Sequence, residues 1–295
     1  MKQICFVAGY NFRGFFKNPK VILTFLMGIV LCYFLSSRIM VVIDQCGTSV
    51  QAVEPFLWTF GDATSILLSS VLLLLIFSDL PLMSSATPYY LYRTTKKRWL
   101  LGQMLYVVCV VSLYMGFLLI TTVLLCMKNS YIGNLWSETA AMLGYSKLGE
   151  ELSVPSTVKV MESITPYECM LGVMGLIFLY ILCLSFLILA GNLLLGQNRG
   201  MIAGLLFSLY GFLLEPKVLA AIFHVSKYEM YKINRLIGWI SPLSHVTYAK
   251  HSFGYDKMPT VFQSCLVFFV LLLLLTGISM GALKKYSFRF LGETS

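Results

Sequence analysis

Residues 169–195, CMLGVMGLIFLYILCLSFLILAGNLLL, run without a single charged side chain. A helix of about 20 predominantly apolar residues crosses the hydrocarbon layer of a bilayer, and this run is longer than that. The fold is therefore read from a membrane outward. Further apolar runs, each with a few flanking residues, are Val21 to Ile43, Ala63 to Ser78, Leu100 to Met127, Gly200 to about Phe223 and Thr260 to Leu283. The expectation is an all-α integral membrane protein with six transmembrane helices. Composition agrees: 58% hydrophobic content, 12% charge and a mean hydropathy of +0.80 do not suit a water-exposed surface. Disordered, collagen-like, nucleic-acid-binding and disulfide-scaffold classes are excluded on that ground.

The net charge of +9, from 22 basic and 13 acidic residues, orients the chain. With a cytoplasmic N-terminus, twelve basic residues fall on the cytoplasmic side: Lys2, Arg13, Lys17, Lys20, Arg93, Lys96, Lys97, Arg98, Arg199, Lys284, Lys285 and Arg289. Only Asp79 and Glu293 accompany them, while the other ten basic residues meet eleven acidic ones. Short cytoplasmic loops carry the excess of Lys and Arg, so both termini are expected in the cytoplasm, which an even number of spans allows. Residues 1–20 are too polar and aromatic for the apolar core of a secretory leader, and the first span is expected to stay in the mature protein. The eight cysteines include no CxxC pair, so neither a zinc ribbon nor a thioredoxin motif is present. Cys126 and Cys169 flank one outer loop and either pair there or act, like free cysteines generally, as small buried hydrophobes.

The connections carry the candidate functional residues. Residues 1–20 interleave Phe6, Phe12, Phe15 and Phe16 with Asn11, Arg13, Lys17 and Lys20. That pattern suits an amphipathic segment on the membrane surface, with Phe12 and Phe16 dipping into the interface and Arg13 and Lys17 meeting anionic lipid. Asn18-Pro19 then breaks it. Residues 81–99 are too long for a minimal turn and too apolar in their first half to float free. A short interfacial helix is expected there, ended by Arg93, Lys96, Lys97 and Arg98 with Trp99 at headgroup depth; a charge cluster serving topology alone is the alternative. The outer loop 128–168 sets five glutamates against three lysines and is expected to be helical from Leu135 to Leu148. Gly196 to Gly200 joins the fourth and fifth spans so tightly that they must be antiparallel neighbours.

Residues 214–243 are unlike the rest. Glu215-Pro216-Lys217 ends an uncharged run, and two apolar stretches too short to span follow, Val218 to Phe223 and Leu236 to Ile240, the second closed by Ser241-Pro242. A re-entrant outer segment between the fifth and sixth helices accommodates them, because irregular backbone survives at membrane depth only against protein or a wet cavity. Glu215, Pro216, Trp239 and Pro242 are its candidate pathway residues. A carboxylate at Glu215 is either functional or snorkels to the interface. Gly200-x-x-x-Gly204 and Gly277-x-x-x-Gly281 both have the small-residue spacing that lets helices approach closely.

Catalytic motifs are missing: no HExxH, no GxSxG, and no phosphate cradle, since none of the fifteen lysines follows a glycine. His224, His245 and His251 share the last outer loop at spacings that match no usual metal site. The chain is expected to be no enzyme, with no catalytic residues, no metal and no directly bound cofactor; ATP and Mg would act through another chain. Arg38, Asn192 and Glu215 are the strongly polar residues of the spans, too few for an ion-coupled carrier.

With six spans, the stretches Asn11-Phe12-Arg13 and Lys17-Asn18-Pro19-Lys20, the cluster Arg93 to Trp99, and Ile240-Ser241-Pro242-Leu243 before the last span, the chain resembles the permease subunit of ATP-binding-cassette (ABC) exporters of the second type. The resemblance implies an amphipathic segment 1–20 along the inner surface, a permease domain 21–283 and a cytoplasmic tail 284–295. It makes 81–99 a coupling helix seated in a groove of a cytoplasmic ABC ATPase, with Arg93, Lys96, Lys97, Arg98 and Trp99 at the contact. It implies a second permease copy or a sibling permease, membrane lipid and an amphipathic substrate (a peptide, an antibiotic or a lipid-like molecule) as partners, no nucleic acid, and a bacterial cytoplasmic membrane. The rival reading is an ATPase-independent immunity or sensor protein that binds a peptide or lipid at its outer face through loop 128–168. A membrane enzyme is the third reading and lacks a catalytic cluster.

Overall fold

The computed structural model describes residues 1–83, 87–146, 149, 154, 157–196, 198–214, 230–254 and 256–286. Its long helices are α2 (Pro19–Cys46), α6 (Lys96–Leu125), α9 (Pro166–Leu195) and α13 (Val261–Lys285), and by length and apolar composition these four can cross a membrane. Two shorter apolar helices, α4 (Ala63–Phe77) and α10 (Arg199–Leu213), have fifteen residues each. At 1.5 Å per residue that is about 22 Å, against a hydrocarbon layer of about 30 Å. Four of the six expected spans thus have full spanning length, and at the other two expected positions the described helices are shorter than the layer is thick.

Several helices start where a side chain satisfies otherwise orphaned N–H groups. Asn18 accepts from Lys20 N ahead of Pro19, Asp62 from Thr64 N and Ser65 N, and Thr95 from Arg98 N. Glu168 accepts from Thr165 N at the start of α9 (3.2 Å), and Thr260 with Gln263 forms a reciprocal capping box for α13. Gly47, at φ 62°, ends α2 in the left-handed conformation that costs glycine least.

α9 is the centre of the bundle. In its most apolar stretch 72% of residues are buried, against 28–39% in the other three long helices, because α4, α6, α10 and α13 all pack around it. The other helices keep one apolar face open, with Leu26, Val30 and Phe34 on α2 and Leu273 and Leu274 on α13 all exposed. Continuous apolar surface of this kind suits contact with lipid.

The helices run between two ends. At one, here the basic end, Lys20 Nζ donates to Asp79 at 2.6 Å and to Ser78 Oγ at 2.9 Å. Asn192, 2% exposed, donates through Nδ2 to Leu80 O (2.6 Å) and Ser78 O (3.3 Å), and its Oδ1 accepts from Gly200 N (2.8 Å). One amide thus ties the ends of α4 and α9 to the start of α10. Asn192 is in this way a structural residue of the α9–α10 turn.

The loop-rich end carries α3 (Glu54–Thr59), α7 (Glu138–Tyr145), α8 (Val158–Ser163), α11 (Met230–Ile240) and α12 (Pro242–Val246). Here β1 (Val50–Gln51) pairs in parallel with β2 (Ser130–Tyr131). The helix expected over Leu135 to Leu148 forms as the shorter α7, because Ser137 supplies the first available N-cap.

Candidate functional site

At the basic end, α1 (Lys2–Phe12) and a 3-10 turn at Phe15–Lys17 form the expected N-terminal segment. Its phenylalanines divide. Phe6 and Phe16 are exposed, whereas Phe15 is buried and Phe12 lies half-buried with its ring centroid 4.9 Å from that of Tyr106 on α6. Phe12 therefore packs on the bundle instead of dipping into lipid. Arg13 and Lys17 are exposed, and the Arg13 guanidinium lies 5.7 Å from the Tyr10 ring centroid.

α1 is fastened to α6 at two points. Gly102 leaves room for Val7, whose Cβ would lie 2.6 Å from a Cβ added there. Next to it the fully buried Gln103 accepts from Asn11 Nδ2 (3.1 Å) and Leu82 N (3.2 Å) and donates to Leu82 O (3.1 Å). Two more bonds join the cationic cluster to the same helix: Arg98 Nη1 donates to Gln3 Oε1 at 2.7 Å, and Gln3 Nε2 donates to Arg93 O at 3.3 Å. The sequence treats segments 1–20 and 81–99 as separate; the structure binds them into one unit.

Within residues 81–99 a short helix does form, α5 (Thr87–Leu91). Arg93, Lys96, Lys97 and Arg98 are exposed, but Trp99 is fully buried at the start of α6. A contact made by this surface uses the four cations, and Trp99 fixes the helix that presents them. Of the pathway candidates, Glu215 and Pro216 lie outside the described residues, as does His224. Pro242 is buried as the first residue of α12, and Trp239 is 44% exposed near the end of α11.

Two polar knots at the loop-rich end went unread in the sequence. The first is Glu54, fully buried. Its Oε1 accepts from Ser137 N (2.8 Å), and its Oε2 accepts from Ser137 Oγ (2.5 Å) and Gln51 N (3.1 Å). Burial pushes its carboxyl up to about 7, against the opposing pull of these three donors. Because Ser137 also caps α7, accepting from Ala140 N at 3.0 Å, one carboxylate joins the α2–α3 connection to the outer loop.

The second knot joins two histidines of the last loop through Ser264 on α13. His245 Nδ1 lies 2.8 Å and His251 Nε2 2.9 Å from Ser264 Oγ. Their other ring nitrogens meet backbone carbonyls, His245 Nε2 at Trp239 O (3.0 Å) and His251 Nδ1 at Tyr248 O (3.1 Å). All three side chains are buried, and burial pushes both imidazoles below their usual value. Ser264→Ala removes the hydroxyl that both rings face, at about 1–3 kcal/mol for the buried hydrogen bond it donates at any one time. Its thermal midpoint in detergent is expected to fall by several degrees; an unchanged midpoint would show that the knot contributes nothing.

Polarity inside an apolar run was the available signal for Gln103 and Ser264. Glu54 had none, since its partner Ser137 is 83 positions away. Two glutamates of the outer loop serve its own structure: Glu162 accepts from Tyr145 and Glu168 accepts from Thr165 N. Lys159 of that loop pairs with Asp256 and donates to His251 O at 2.8 Å. All eight cysteines are free thiols, Cys126 and Cys169 included. Among the described residues no three His, Cys, Asp or Glu side chains gather as a metal site. No family model, curated protein or solved structure matches this chain.

Proposed function

We propose that the chain is the membrane-spanning permease subunit of an ABC exporter, with six spans and both termini on the cytoplasmic side of a bacterial membrane. It exports an amphipathic peptide, antibiotic or lipid-like molecule with ATP hydrolysed by a separate subunit. The observation that supports this reading best is the Gln3–Arg98 and Gln3–Arg93 tie, which makes the N-terminal helix and the four exposed cations a single surface at one end of the bundle. A force applied at Arg93, Lys96, Lys97 and Arg98 passes directly into α6 and, through Gln103, into α1 and the chain at Leu82. That is what a coupling element must do. A carrier relying on a membrane ion gradient would instead keep ionisable groups near mid-span.

The experiment is gentle extraction of the tagged chain from its native membrane, with identification of co-purifying proteins and an ATP hydrolysis assay. A stoichiometric P-loop ATPase is expected with the native chain. The double charge reversal Lys96→Glu with Lys97→Glu is expected to lose the ATPase while inserting normally in the membrane. A lone chain without hydrolysis, even after crosslinking, overturns the reading, and retention of the ATPase by the reversed variant overturns the docking role of these lysines.

A further inference from the structure

The knot on Ser264 joins three parts of the loop-rich end. α11 enters through Trp239 O, the segment that follows through His245 on α12 and through His251, and α13 through Ser264 in its first turn. Each ring turns one nitrogen to a carbonyl, and a carbonyl only accepts, so that nitrogen carries a hydrogen. The inner nitrogens, His245 Nδ1 and His251 Nε2, face the same Ser264 Oγ at 2.8 and 2.9 Å. While both rings are neutral the inner nitrogens are bare, and the hydroxyl donates to one of them. At the other, a nitrogen lone pair stands against an oxygen lone pair within hydrogen-bond distance.

A proton delivered from water to that nitrogen turns the repulsive contact into a charge-assisted hydrogen bond to Oγ. The hydroxyl goes on donating to the opposite ring, so every polar atom of the knot is then matched. A second proton finds no such place. The hydroxyl would have to accept from both rings, its own hydrogen would lose its acceptor, and two positive rings would face each other across one oxygen.

The surroundings favour the same limit. On α8, Lys159 donates to His251 O at 2.8 Å, and its charge is met by Asp256, so that carboxylate is already committed. Lys250, beside His251 in the chain, is exposed and of the same sign as a charged ring. Tyr248 has its ring centroid 6.0 Å from that of His251, and Cys183 of α9 donates to Phe268 O. α11 contributes the Trp239 carbonyl, α12 has no titratable residue besides His245, and α13 adds Cys265 next to Ser264. None of these groups offsets a positive ring. Burial opposes any charge on either imidazole, and the hydrogen bonds of the knot compensate it for the first proton alone.

We propose that His245, Ser264 and His251 form a proton-binding site of capacity one, through which acidity at the loop-rich end charges the junction between the last loop and the last helix. The site is independent of the transport reading, since it needs no ATPase.

Nitrogen NMR of the full chain in detergent, with its histidine rings isotopically labelled, tests this, because bare, hydrogen-bearing and charged-ring nitrogens resonate apart. The chain has three histidines, and His224→Gln removes the one outside the knot. On acidification His245 and His251 are expected to move in one shared transition worth a single proton, the second proton entering only as the fold is lost. Ser264→Ala removes the oxygen that receives the charged N–H and is expected to weaken proton binding about tenfold, shifting the transition to lower pH. Two charged rings in a folded chain overturn the proposal, as do two rings that stay neutral until the fold is lost. A transition unmoved by Ser264→Ala overturns it as well, and the count in the native chain decides the capacity even where the alanine variant fails to fold.

Discussion

Gly200→Ala is expected to lower the stability of the folded chain by about 3–5 kcal/mol, whereas Gly277→Ala leaves it unchanged or slightly higher. A Cβ at Gly200 would lie 2.1 Å from Ile188 O, 2.6 Å from Asn192 Oδ1 and 2.7 Å from Asn192 N. Two of these are backbone atoms of α9, which cannot swing aside as a flexible side chain does. Relief requires α10 to move off α9, and that breaks the Gly200 N to Asn192 bond. Overpacking alone costs about 1–3 kcal/mol, and an orphaned buried amide adds about as much. Gly204 is less exacting, because its nearest obstacle is the Ile188 side chain at 2.9 Å. Gly277 and Gly281 have nothing within 4 Å, so alanine there adds helix propensity without a clash. Unfolding of the Gly200→Ala, Gly204→Ala and Gly277→Ala chains in detergent gives the order, and a Gly200→Ala chain as stable as Gly277→Ala would disprove the close approach of α9 and α10.

A second large effect is a loss of stability at the loop-rich end as pH rises. The Glu54 carboxyl lies at about 7 in the folded chain, against an ordinary 4.5. Between those values the folded state holds a proton that the unfolded state releases. Its contribution is therefore fully present below about 4.5 and is lost as pH rises through about 7. At about 1.4 kcal/mol per unit the difference is on the order of 3 kcal/mol. Amide hydrogen exchange of residues 48–54 and 137–140, corrected for intrinsic rates, is expected to show protection falling about a hundredfold from pH 5 to pH 8. Glu54→Gln removes the titrating group and is expected to give a pH-independent profile. It also sets an amide donor against Gln51 N–H, so its protection lies below that of the native chain at pH 5. A native profile as flat as that of the variant would show that Glu54 is not held in its protonated form.

The lengths of the main helices could be read from the chain because they depend on local facts: an uncharged run and a polar residue able to cap it. Asp62 before Ala63 and Thr260 before Val261 are of that kind. What could not be read depends on which helix lies opposite. Gly200-x-x-x-Gly204 and Gly277-x-x-x-Gly281 are equivalent as sequence, yet only the first faces another backbone. Trp99 adjoins four cations and was expected at headgroup depth; its register on α6 turns it into the core. Glu54 and Ser137 meet only because the α2–α3 connection and the outer loop fold onto each other.

The knot on Ser264 holds fewer hydrogens than contacts. Each imidazole points one nitrogen at a backbone carbonyl, which can only accept, so that nitrogen carries its ring's hydrogen when the ring is neutral. Both remaining nitrogens then face a hydroxyl that owns a single hydrogen, leaving three hydrogens for four contacts. The serine can serve His245 or His251, never both at once. Turning one O–H bond exchanges the two arrangements without displacing a heavy atom. The attachment of the last helix to the loop-rich end therefore contains a two-position hydrogen switch inside a packed core.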